Sequence, residues 1–256
     1  MEKSLPLLNN LSPSQFLSEY WQKKPLLIRQ AIPNFKGLLT PDELAGLACE
    51  EDAQSRIVKL KNDQWSVDHG PFDEAVFSSL PNTNWSLLVQ SVNHHLPEAA
   101  DLLSQFNFIP HVRLDDLMVS YAPTGGSVGA HVDAYDVFLL QGSGKRRWKI
   151  NTQADLTLIE NAPLAILKHF EAEHEWILEP GDMLYLPPNV AHHGIAEDDT
   201  CMTYSIGFRS PKAQELAHAF LEYLQDTTKL NGLYKDPDLT LQRHSAEISA
   251  SMVKKI

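Results

Sequence analysis

Three side chains set the chemical question. His131 and Asp133 stand two positions apart in His131-Val132-Asp133, beside the glycine-rich turn Thr124-Gly125-Gly126. In extended chain alternate side chains share a face, so an imidazole and a carboxylate are presented together. Some sixty residues later, His192 follows the strand-like Met183-Leu184-Tyr185-Leu186 and the rigid pair Pro187-Pro188. Two histidines and one carboxylate match the facial triad of non-haem Fe(II) centres, which leaves coordination positions open for other ligands. His193 competes with His192: adjacent extended side chains diverge, so one of the two ligates, and spacing does not choose between them.

A fourth group is Arg146. Period 2 groups it with Trp148 and Ile150 on one face of a strand, with Arg147 and Lys149 on the other. If Trp148 and Ile150 point inward, so does the guanidinium, and a buried cation needs a carboxylate partner. A bound dicarboxylate could pair with it in bidentate fashion. An internal acid, Asp136, is the alternative.

The elements that must position these groups are short strands. Val112 to Ala122 alternates, with Asp116, Met118, Ser120 and Ala122 on one face; Tyr135 to Gln141, Arg146 to Ile150, Trp176 to Leu178, Met183 to Leu186 and Cys201 to Phe208 follow, punctuated by glycine and proline. This succession predicts a sandwich or barrel. Residues 152–175 carry no clear period. Upstream, Ser12-Pro13 or Ser14 caps a predicted helix holding Phe16, Leu17, Tyr20 and Trp21, stopped by Pro25. Leu26 to Ile28 reads as a strand, Thr40 to Glu43 as a capping box, and Arg56 to Val67 as strands around Asn62-Asp63. Trp85, Leu88, Val89 and Val92 fall at helical spacing, which predicts a helix ending near His94 and His95; Pro97 opens another. Beyond Ser210-Pro211 an apolar stripe of Ala213, Leu216, Ala217, Phe220, Leu221 and Leu224 predicts an amphipathic helix suited to a homodimer contact.

Composition bounds the partners. The chain has 256 residues and a formal net charge of −12, which disfavours direct nucleic-acid binding and favours a basic partner. The two cysteines, Cys49 and Cys201, lie far apart, so neither a disulfide framework nor a zinc knuckle is expected. No run is apolar enough to span a bilayer and the start lacks signal-peptide character, so the expected location is cytoplasmic.

Taken together, His131-Val132-Asp133 with Tyr135-Asp136-Val137-Phe138, the Gln141 to Gly144 hairpin, Pro180-Gly181-Asp182 through Pro188, and Tyr20 to Leu27 resemble the JmjC-type ribosomal oxygenases. Asn84 to Gln90 and Arg113 to Met118 strengthen the likeness to the bacterial branch that hydroxylates a ribosomal-protein arginine. The resemblance implies a mainly β, α+β fold: a double-stranded β-helix (cupin) core at 111–209, an N-terminal helix and strand region at 1–110, and a helical 210–256. Members of this branch usually continue into a winged-helix-like domain, which is not expected within residues 210–256. The resemblance also implies Fe(II) with 2-oxoglutarate and O2 as cosubstrates, held by His131, Asp133 and His192, and by Arg146 assisted by Ser120. The implied substrate is an arginine β-carbon in a basic large-subunit ribosomal protein, met by Asp116, Tyr135 and Ser205. Hydroxylation of another residue such as histidine, demethylation, or a non-catalytic metal-binding cupin are the rival readings.

Overall fold

The computed structural model describes residues 3–229, 231–241, 244 and 246–254. They fall into two compact units, one running to Ser210 and one from Pro211 onward. The first contains α1 (Pro13–Glu19), β1 (Leu26–Ile28), α2 (Pro41–Leu47), β2 (Ser55–Lys61), β3 (Gln64–His69), α3 (Glu74–Ser78), β4 (Trp85–Val89), α4 (Pro97–Ser104) and β5 (Leu114–Ala122). It continues through β6 (Val137–Ser143), β7 (Arg146–Asn151), β8 (His174–Leu178), β9 (Met183–Leu186), β10 (Ala191–Ala196) and β11 (Cys201–Phe208).

The strands form an eight-stranded sheet, β1-β9-β6-β11-β5-β4-β2-β3, and a three-stranded sheet, β10-β7-β8, with every pair antiparallel. Strand alternation decides what each face meets. The outward residues Leu117, Val119, Phe138, Leu140, Tyr204 and Ile206 join Phe16 of α1, Leu44 of α2 and Leu102 of α4 in the main core. Full burial of a side chain such as Phe16 contributes about 1.5–3 kcal/mol. The inward residues Val137, Leu139 and Leu184 pack instead against Trp148 and Ile150 of the smaller sheet. With both faces covered, β11 is buried along its whole length. This pair of packed sheets is the β architecture the short strands predict.

Local signals place the helices. Ser12 and Gln15 exchange side-chain and backbone hydrogen bonds in a capping box with Pro13 in the first turn, and Thr40 and Glu43 do the same for α2. Parts of the prediction need correction. The first helix ends at Glu19, and Tyr20 and Trp21 occupy the turn after it. Trp85 to Val89 forms strand β4, not a helix, and His94 ends a short 3-10 turn. All five residues of β4 are buried, so its apolar residues show no alternation to betray the strand. Finally, β10 forms over Ala-His-His-Gly-Ile-Ala, where no strand is predicted, because β7 offers it a pairing edge. Tyr135 precedes β6 and Val112 lies in a 3-10 turn before β5.

In the second unit, α5 (Ala213–Thr227) forms where the stripe predicts it, with Leu216, Phe220 and Leu221 exposed, and α6 spans Ala250–Val253. Ser245, Lys255 and Ile256 of the predicted C-terminal region lie outside the described residues. Among the described residues no helix is long and apolar enough to cross a membrane.

Candidate metal centre and cavity

His131 and His192 are joined by main chain. The N–H of each donates to the carbonyl of the other, at 3.0 and 2.9 Å, in an isolated antiparallel bridge. Their rings stand with centroids 4.2 Å apart. Each Nδ1 lies against a backbone carbonyl two residues back, Gly129 O at 3.0 Å for His131 and Val190 O at 2.9 Å for His192. A carbonyl only accepts, so Nδ1 carries the proton and Nε2 keeps a free lone pair. Both Nε2 atoms face Asp133 Oδ2, at 4.0 Å from His131 and 3.6 Å from His192. One donor atom from each of the three lies within 4.8 Å of the others, a cluster that can hold a metal ion. The donor set fits Fe(II): two imidazoles and a carboxylate from one side, with a cavity on the other.

Strand register separates the adjacent histidines. His192 pairs with inward Ile150, whereas His193 pairs with outward Lys149 and turns towards Phe170. Burial, helped by the nearby His131, pushes the His192 pKa down to about 3, so its imidazole is neutral at neutral pH, as ligation requires. Burial raises the Asp133 carboxyl against the opposing effects of His131, a hydrogen bond from Tyr135 and the charge of Arg56. Two glycines give the site its shape. A Cβ at Gly194 would lie 2.7 Å from the Trp148 indole, so only glycine lets that ring pack beside His192. Gly129, at φ +84°, sits under Ile166, whose segment bonds to Ala130 through Leu167 N at 2.7 Å.

The donors open into a cavity of about 410 Å³. The remaining candidates Ser120, Arg146, Asp116, Tyr135 and Ser205 all line it. Arg146 is 6% exposed. Its Nη1 lies 3.4 Å from Ser120 Oγ and 3.3 Å from Thr203 Oγ1, and its guanidinium 5.5 Å from the Trp148 ring. Asp136 is not its partner: that carboxylate is turned to the opposite core, where it accepts from Tyr185 at 2.6 Å and Gln22 at 2.9 Å, with Arg113 at 3.7 Å. Among the described residues no carboxylate forms an ion pair with Arg146.

Asp116 Oδ2 accepts from the Ser91 N–H at 2.8 Å and the Ser91 hydroxyl at 3.2 Å, while Oδ1 faces the bare Cα of Gly207. Burial raises its pKa, and the Ser91 bonds offset part of that rise. Tyr135 is 41% exposed, and burial of its hydroxyl beside Asp133 and Asp116 raises its pKa.

Residues 101–216 match the JmjC domain family. The chain is 42% identical over 245 residues to the ribosomal protein uL16 3-hydroxylase of Escherichia coli, covering 94% of this chain and 64% of that protein. The chain belongs to the JmjC family. A probable ribosomal oxygenase of Haemophilus influenzae is 41% identical over 250 residues, covering 96% of this JmjC chain and 59% of the relative. The chain therefore spans less than two thirds of the length of either relative. The solved structure of YcfD, a ribosomal oxygenase from E. coli in complex with cobalt and 2-oxoglutarate, superposes with a TM-score of 0.81 at 40% identity. It covers 99% of this chain and 66% of that one.

The sequence reading missed part of the JmjC cavity. Thr203, which accepts from Arg146 and donates to Gln141 Oε1 at 3.2 Å, has its signal in the alternation of β11. Arg56 of β2, Ser86 of β4 and Gln90, just past β4, also line the cavity. Their shared face is not visible in the sequence, because the apolar residues of β4 fall at helical spacing. Among the described residues, five buried side-chain polar atoms lack a hydrogen-bond partner: Arg56 Nε, Ser86 Oγ, Gln90 Oε1, Arg146 Nε and Trp148 Nε1. All five belong to residues that line this one cavity.

Proposed function

We propose that the chain carries the catalytic centre of an Fe(II)- and 2-oxoglutarate-dependent oxygenase that hydroxylates the β-carbon of an arginine in a basic large-subunit ribosomal protein. One observation carries the reading. Arg146 is a buried guanidinium with a partnerless Nε and no carboxylate pair, in the same cavity as a two-histidine, one-carboxylate cluster. A buried cation of this kind is costly unless a ligand completes it, and a dicarboxylate that also reaches the metal is the ligand that fits. The E. coli relative named as a uL16 3-hydroxylase supports the ribosomal protein, and the E. coli structure holding cobalt and 2-oxoglutarate supports the cosubstrate.

His131, Asp133 and His192 would hold Fe(II) through the two Nε2 atoms and a carboxylate oxygen. With metal and cosubstrates bound, 2-oxoglutarate gives succinate and CO2, one atom of O2 entering succinate and the other converting the target C–H to C–OH. The chain's own groups position and shield. Arg146, with Ser120 and Thr203 behind it, would take the far carboxylate of the cosubstrate as a charge-assisted pair. Asp116 would orient the target guanidinium through Oδ1, with Ser205 on the neighbouring strand and the Tyr135 ring offering a cation-π face. Val137, Leu139 and Trp148 keep the reacting centre dry. The chain's acidic balance suits a basic protein partner.

The test is incubation with Fe(II), 2-oxoglutarate and large-subunit ribosomal protein uL16, followed by mass spectrometry of the modified residue. The expected result is succinate formation with a one-oxygen gain on arginine. A gain on histidine, or loss of a methyl group, would move the assignment to another residue. The exposed stripe of α5 also suits pairing with a second copy of the chain; Phe220→Glu is expected to lower the sedimentation coefficient to that of a monomer.

A further inference from the structure

The cavity has a second polar wall that neither the metal cluster nor the Arg146 anchor uses. Arg56 of β2 lies opposite Leu88 of β4, and Leu88 lies opposite Ser120 of β5. Ser86 and Gln90 flank Leu88 at two residues on either side, so all of them share the face that looks into the cavity. Three of the five partnerless polar atoms belong to this wall. Arg56 Nε is a donor without an acceptor, Gln90 Oε1 an acceptor without a donor, and Ser86 is fully buried with its hydroxyl unpaired. Leaving such groups unpaired is costly, so a wall that collects three of them is built for a ligand that completes them.

We infer that Arg56 and Gln90 form a main-chain subsite for the target polypeptide, Arg56 Nε–H donating to a peptide carbonyl and Gln90 Oε1 accepting a peptide N–H. The inference rests on the reading of this cavity as that of a protein hydroxylase. The mixture of donor and acceptor selects the ligand. A carboxylate would satisfy Arg56 but set its oxygens against Gln90 Oε1, and a hydrocarbon would satisfy neither, whereas an amide chain offers both partners. Position agrees. Gln90 adjoins Ser91, which holds Asp116, so the wall begins beside the guanidinium site and runs outward to β2. From Ser120 to Arg56 is two strand spacings, roughly 10 Å at about 4.8 Å each, which an extended peptide spans in about three residues. The subsite therefore reads residues flanking the target arginine, and makes a peptide segment, not a free amino acid, the substrate.

The experiment uses the full chain loaded with Mn(II) and 2-oxoglutarate under anaerobic conditions, and a synthetic uL16 peptide centred on the arginine modified in the whole protein. Arg56→Met and Gln90→Met are each expected to weaken peptide binding by about tenfold, the loss of a directional hydrogen bond. Under turnover with Fe(II) the change is expected in the peptide KM, with kcat largely retained. Arg56→Lys restores charge but not the Nε donor, so it is expected to stay weak. Replacing single flanking amides of the peptide by esters is expected to weaken the parent at one position and the matching variant no further. Both Met variants binding as tightly as the parent, with normal melting curves, would overturn the inference, as would full rescue by Arg56→Lys. A parent that consumes 2-oxoglutarate yet neither binds nor modifies uL16 would instead bring down the substrate assignment, and the inference with it.

Discussion

The guanidinium of Arg146 on one sheet reaches the hydroxyl of Ser120 on the other, 3.4 Å from Nη1 to Oγ, without meeting a carboxylate. The contact is long for a hydrogen bond, and Nε has no partner at all. Arg146→Met is therefore expected to separate binding from stability. The KM for 2-oxoglutarate should rise by roughly 10- to 100-fold, since a hydrogen bond to a charged group contributes about 1.5–3 kcal/mol. The melting temperature without ligand should hold or rise, because an unpaired buried charge has been removed. Steady-state kinetics and a thermal melt check the two halves.

The adjacent histidines give a paired contrast. His192→Ala is expected to weaken metal binding by more than the roughly 10- to 100-fold that loss of an outer-shell partner costs, while His193→Ala keeps the metal. Metal content after gel filtration decides the point, and retention by His192→Ala would remove it from the ligand set.

Without metal, His192 should also make the fold acid-sensitive. Its pKa is about 3 in the folded chain against 6.5 for an ordinary histidine, so between those values the unfolded chain binds the extra proton. Its contribution to stability is complete above about pH 6.5 and declines as the pH falls towards 3. Urea midpoints of the EDTA-treated protein across that window should fall with pH, and His192→Gln should flatten the slope.

Asp116 supplies a pH test of substrate binding. Burial holds its carboxyl above the ordinary value of 3.8, so on acidification it becomes neutral sooner than an exposed aspartate. Affinity for the arginine peptide should fall as the pH drops through that raised pKa. Asp116→Asn should bind weakly at every pH, by about tenfold at neutrality. Fluorescence anisotropy of a labelled peptide measures both.

The legible parts of this chain are those governed by local rules. The capping boxes at Ser12 and Thr40, the alternation that turns Arg146, Trp148 and Ile150 inward, and the grouping of Asp116 with Ser120 follow from neighbours in sequence. What escaped depends on distant partners. β4 is buried on both faces, and Trp85, Leu88 and Val89 happen to fall at helical intervals, so the pattern that separates strand from helix is absent. The same pattern hides the shared face of Arg56, Ser86 and Gln90. β10 has little strand character of its own and exists because β7 pairs with it, and that pairing is what separates His192 from His193. The fate of Arg146 was open for the same reason, since the orientation of Asp136 towards Tyr185 and Gln22 is set by tertiary packing.

The main-chain bridge between His131 and His192 has a bearing on how the protein lives with its metal. The two imidazoles are aligned by backbone hydrogen bonds and by carbonyls at Nδ1, all of them formed when the chain folds. An ion held there would not have to gather these two ligands, so the centre would be expected to lose it and be reloaded without the sheets coming apart. Occupancy would then follow the supply of divalent ions around the protein.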